Sequence, residues 1–173
     1  MIIRMEDYVV ETKGTHYPDK AMHELFIKRL SEKGISLSDI ARITYKCQKS
    51  HIEGLTFEEC LKSVERICWK RELLNIAVTA LELDRLGEMR LLSQPLQHII
   101  ETDMGVYGVD ETLALGISQL GGSISTTNYG NLDVIKTSIA KKLDTMPGVN
   151  TFIDDIVTAI ACYAAARVAH LDS

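Results

Sequence analysis

Apolar residues recur at helical spacing through most of this chain, and very little of it alternates as a strand would. In "AMHELFIKRLSEKG", Met22, Leu25, Phe26 and Leu30 fall on one face, and Gly34 supplies a C-terminal stop. "TFEECLKSVERICWK" opens with Thr56 and, three residues on, Glu59, the signature of a capping box. Its apolar positions Phe57, Cys60, Leu61, Val64, Ile67 and Cys68 then keep the same period. Further helices are predicted through "SLSDIARITYKCQ", through "RELLNIAVTALELDRL" as far as Gly87, and after Pro95 in "PLQHIIETD". Three more are expected to begin near Val109, Asn131 and Thr151, separated by "GGSISTTNYG" and "DTMPGVN" read as loops. Only "MIIRM" and "YVVET" look at all like strands. The expected fold is all-α, a bundle of about six to eight helices.

The last helix sets the architecture. From Ile156 to Ala169 it is apolar almost all the way round, interrupted by Thr158 and Arg167, and rich in alanine. A helix apolar on every side is a buried one, so it belongs at the centre, with alanine letting its neighbours come close. At 173 residues the chain is expected to form a single domain. Residues 1–20 would be an N-terminal arm and residues 95–171 the half that carries the chemistry.

Against that apolar background the carboxylates stand out. Asp154 and Asp155 head the buried helix, and Asp110 and Glu111 head the one near Val109. At about 100° per residue, Asp110 falls between Ala114 and Ile117, while Asp155 shares a face with Ala159, Cys162 and Ala166. Acids in a first turn favour the positive end of the helix dipole, and Thr151 with Asp154 resembles a capping pair. Capping accounts for each acid singly, but not for two doublets together with Asp133 and Lys136 in a third helix. Burying several carboxylates is costly, and a bound cation offsets that cost. Oxygen donors without an associated His or Cys point to Mg²⁺ or a similar hard cation; Mn²⁺ or Ca²⁺ would substitute.

Other chemistry is less well supported. Cys47, Cys60, Cys68 and Cys162 have no CxxC spacing and read as reduced thiols, Cys60 and Cys68 in the core. Cys47 and His51 lie one helical turn apart, too few ligands to define a metal site. "MHELF" lacks the second histidine of HExxH, and "CYAAAR" has neither the spacing nor the glycines of a cysteine-phosphatase loop. With a net charge of −5 and no basic tract, nucleic-acid binding is disfavoured. No segment supplies the ~20 uncharged apolar residues of a membrane span, so the expected setting is cytoplasmic or peripheral to a membrane surface.

At "DMGVYGVDE" (Asp103–Glu111), "LDVIK" (Leu132–Lys136) and "GVNTFIDDIVTA" (Gly148–Ala159) the chain resembles the phosphatidylglycerophosphatase A family, in motif order and separation. It is most similar to the soluble, low-temperature-requirement C type branch. The resemblance implies a Mg²⁺-dependent phosphomonoesterase that removes the terminal phosphate of phosphatidylglycerophosphate in glycerophospholipid metabolism. It assigns acid roles to Asp110, Glu111, Asp154 and Asp155, metal ligation to these four and Asp133, a phosphate-facing role to Lys136, and a polar position to Asp103. Three departures concern substrate contacts. "GTHYPD" stands where membrane-bound members carry a proline-glycine-threonine loop, Gly130 where they have an arginine, and Thr137 where they have a proline. Two other readings stay open: a phosphohydrolase of a soluble phosphate ester or nucleotide, and a catalytically silent helical module. The expected partner is a phosphorylated small molecule or lipid head group, and a homo-oligomer is expected.

Overall fold

The computed structural model describes residues 16–135, 142–143 and 146–171. Among them the secondary structure is helical: α1 (Asp19–Glu32), α2 (Leu37–Gln48), α3 (Phe57–Ile67), α4 (Arg71–Glu88), α5 (Leu96–Glu101), α6 (Val109–Gln119), α7 (Gly122–Ile135) and α8 (Ile153–Leu171). "MIIRM" and "YVVET" lie outside the described residues. The capping box at Thr56 forms as expected, with Glu59 returning to the Thr56 amide, and Ser36 with Asp39 makes a second one.

Helix α8 is the axis of the molecule. Every residue from Ile153 to Ala166 is buried, and α2, α3, α4, α6 and α7 all pack against it. Alanine makes this geometry available. With only a methyl group between backbones, Thr44 of α2 donates to the Ala161 carbonyl at 3.1 Å and Ser63 of α3 to the Ala164 carbonyl at 3.0 Å. On the other side the α6–α7 turn comes equally close. A Cβ on Gly121 would sit 2.6 Å from Ser125 Cβ and 2.7 Å from the Tyr163 ring.

Helix α1 runs parallel to α4, joined along its length by Arg71 on Asp19 (2.6 and 2.8 Å), Arg29 on Glu82, and Lys33 on Glu88 (2.8 Å). Among the described residues no helix is long and apolar enough to cross a membrane.

Two expectations about helix limits need correction. "GGSISTTNYG" is not a loop: α7 starts at Gly122, nine residues before Asn131. Its Ser, Thr and Asn residues compete with helical hydrogen bonding in an isolated chain. Here tertiary packing decides, with Tyr129 and Ser125 buried and the Ser125 carbonyl taking a hydrogen bond from Ser118 at 3.1 Å. Gly87 does not stop α4 either. It lies inside the helix, where a Cβ would come 2.9 Å from Ile100 Cγ2, so its bareness admits α5.

Candidate metal centre

The first turns of α6 and α8 meet at one end of the bundle, and the meeting is built by local geometry. Gly108 precedes α6 with φ +66°, a left-handed conformation that glycine adopts without strain. The preceding segment is fixed by Tyr107, whose ring packs edge-on against Phe152 at 6.0 Å between centroids. From the other side, Thr151 donates to the Ile100 carbonyl at 2.7 Å, which ties the start of α8 to α5.

This arrangement brings together carboxylates remote in sequence. Asp110, Glu111 and Asp155 each place an oxygen within 4.8 Å of the others. Asp110 is 8% exposed and Asp155 9%, while Glu111 faces solvent. Burial, and then the hydrogen bond and charge of Glu111, hold the Asp110 carboxyl well above the ordinary carboxylate range. Asp110 Oδ1 is buried without a hydrogen-bond partner among the described residues. An unpartnered carboxylate oxygen beside two further carboxylates is poorly satisfied by protein alone. The donor set is all oxygen, which fits a hard divalent cation.

The other residues singled out in the sequence fall as follows. Asp154 is buried, at 8% exposure, but lies outside the group of three; its charge acts on Asp84 instead. Asp133 belongs to the last turn of α7, and Lys136 lies outside the described residues, as does Thr137. Asp103 stands in the α5–α6 segment with φ +47°. Cys60, Cys68 and Cys162 are reduced and buried, and burial pushes their thiols up, as core residues rather than ligands.

Asp84 is the residue that sequence reasoning missed. Its carboxylate reaches from α4 to the start of α8 and accepts from the amides of Phe152 (3.1 and 3.2 Å) and Ile153 (3.0 Å). Another helix therefore supplies a carboxylate cap to the start of the buried helix. Burial pushes the Asp84 carboxyl up to about 8, against the pull of the two amides and Lys33 and with a further push from Asp154. The signal was present in the sequence: Asp84 continues the buried stripe Ala77, Ala80, Leu81 toward Gly87.

Comparison with known proteins identifies relatives of the same fold. The family model for Phosphatidylglycerophosphatase A matches residues 46–170. YpjQ of Bacillus subtilis is 43% identical over 155 residues, 89% of this chain and 88% of YpjQ. YutG of the same organism is 46% identical over 144 residues, 82% of this chain and 87% of YutG. The crystal structure of YpjQ superposes with a TM-score of 0.84, covering 90% of this chain and 97% of that one. The low temperature requirement C protein from Listeria monocytogenes superposes with a TM-score of 0.83 at 43% identity, covering 87% of this chain and 96% of that one.

Proposed function

The chain belongs to the phosphatidylglycerophosphatase A family, and from that premise we propose that it is a Mg²⁺-dependent phosphomonoester hydrolase acting on the terminal phosphate of phosphatidylglycerophosphate. The observation that carries this reading is the unpartnered, buried Oδ1 of Asp110 within 4.8 Å of the oxygens of Glu111 and Asp155. Such a group is stable with a cation among its oxygens and strained by repulsion without one.

Asp110, Glu111 and Asp155 would hold the ion, with Asp133 and Asp154 as further ligands. A divalent cation there supplies Lewis-acid stabilisation of phosphoryl oxygens and lowers the pKa of bound water. The protein's own residues do the rest. One of the four acids Asp110, Glu111, Asp154 and Asp155 accepts the proton of the attacking water, and Lys136 balances charge on the transferred phosphate. Burial of Asp110, Asp154 and Asp155 limits competition from bulk water at these three carboxylates.

The first experiment is calorimetric titration of Mg²⁺ and Mn²⁺ into metal-free protein, beside the Asp154→Asn/Asp155→Asn double variant, followed by a phosphatase assay. Binding and turnover in the wild type, both lost in the variant, support the assignment. Equal binding and turnover in both would refute the carboxylate site. Assay of phosphatidylglycerophosphate against soluble phosphate esters and nucleotides then fixes the substrate class, and no hydrolysis of any of them with Mg²⁺ present identifies a silent module.

A further inference from the structure

The sequence shows no run of basic residues, yet the fold gathers four cations into one cleft. It lies between the α3–α4 turn and the C-terminal part of α8, lined by Lys62, Glu65, Arg66, Trp69, Lys70 and Arg167, a wide-open depression of about 670 Å³. That volume falls within the ~300–1,000 Å³ usual for small-molecule sites. Arg167 follows Asp155 by twelve positions on α8, so the cleft is roughly 18 Å along the helix from the carboxylates. It is a separate place.

The cations of the cleft make little ion pairing among the described residues. Lys62 makes only an exposed contact with Glu58 at 3.8 Å. Among the described residues, Arg66, Lys70 and Arg167 form no ion pair, although the chain carries more acids than bases. Arg167 is braced by the Ser63 hydroxyl at 3.4 Å, and Lys70 lies over the Tyr163 ring at 5.8 Å. Beside these cations Trp69 is 50% exposed, a costly placement for a ring of that size. Its ring is also held in place, because His23 stacks on it at 3.8 Å and 6°.

Unpaired guanidinium and ammonium groups suit phosphate oxygens. A fixed, half-open indole suits a planar base. We propose that this cleft binds a nucleotide, with phosphates on Arg66, Lys70 and Arg167 and the base against Trp69. A second copy of the chain is disfavoured, since two-fold pairing of this face would set one cationic cleft against the other. The single fixed ring beside the cations suits a small ligand that carries both phosphate and a planar base.

Trp69 is the single tryptophan of the chain, so its fluorescence reports directly. ADP is titrated into the full chain in EDTA, which removes divalent cations and so separates this site from the carboxylate centre. The expected result is saturable quenching, weakened by salt. Affinity should fall tenfold or more in Arg66→Gln/Lys70→Gln, whose residues are on the surface, and in Arg167→Gln once its unfolding midpoint is shown to match the wild type. Quenching should persist in Asp154→Asn/Asp155→Asn. Absence of quenching at millimolar ADP, or quenching that both cation variants leave unchanged, would overturn the proposal. Pyrophosphate binding as tightly as ADP removes the role of the base and overturns the nucleotide assignment. Co-sedimentation with phosphatidylglycerol vesicles without any response to ADP would replace it with a membrane surface.

Discussion

Asp84 and Asp110 are both held less acidic in the folded chain than in the unfolded one, and burial is the first cause for each. For Asp84 the carboxyl moves from 3.8 up to about 8. Between those values the folded state binds more protons than the unfolded state, so stability falls as pH rises through the window. Asp19, Asp39, Glu59, Glu82 and Glu101 are shifted the other way by their partners, and their contribution is lost only as pH falls into the carboxylate range. His23, held low by burial, opposes the trend in part. Metal-free protein should therefore unfold at a lower temperature at pH 8 than at pH 5, and Asp84→Asn should lose much of that dependence. Thermal unfolding followed by circular dichroism in EDTA checks both, and a midpoint that rises from pH 5 to 8 would contradict them. Single residues also show where the sequence was readable. Asp110 and Asp155 announce themselves because two carboxylate doublets on apolar helical faces are more than capping of each helix start requires. Asp84 stands on an apolar stripe too, but its role cannot be read there, because its partners are the amides of Phe152 and Ile153, and only the fold brings them to it. Nor does periodicity separate Asp155 from Asp154: neighbours on a helix point about 100° apart, and which one meets Asp110 depends on where α6 is laid.

At the scale of elements, α8 shows what its alanines are for. The hydroxyls of Thr44 and Ser63 reach its carbonyls only because nothing larger than a methyl group intervenes. Ala164→Leu should destabilise by about 1–3 kcal/mol, the usual cost of overpacking a close contact. Denaturant unfolding measures this, and an unchanged midpoint would show that the contact can yield. Gly121→Ala should cost a similar amount, about 1–3 kcal/mol, because its methyl group would meet both Ser125 and Tyr163. The centrality of α8 was legible because an all-round apolar helix has nowhere else to go. The start of α7 was not. "GGSISTTNYG" has the composition of a loop, and its helical state rests on packing against α8 and on the Ser118–Ser125 hydrogen bond. Only the Gly121–Gly122 pair, with Gly122 at φ +76°, behaves as the turn that composition suggested.

Over the whole molecule, charge is spread unevenly along α8: carboxylates cluster at its start, with Asp110 Oδ1 lacking a partner among the described residues, and four cations with the single acid Glu65 line the cleft near its finish. The acid end should make stability depend on the ion. Without metal, three clustered carboxylates repel one another, two of them buried, so neutralising part of the cluster relieves the folded state more than the unfolded one. Metal-free Asp154→Asn/Asp155→Asn should therefore melt above metal-free wild type. A cation that binds the folded state alone stabilises it by RT ln(1 + [L]/Kd), about 2.7 kcal/mol at a hundredfold excess over Kd. For a chain of this size that is a rise of roughly 5–10 °C. With saturating Mg²⁺ the order should reverse: wild type gains the full rise, the double variant little or none. Differential scanning calorimetry of both proteins, with EDTA and with Mg²⁺, gives four midpoints whose crossing is the expected outcome. A variant that melts below wild type under both conditions would mean that Asp154 and Asp155 stabilise the helix end directly, as caps on the dipole of α8, with no need of an ion.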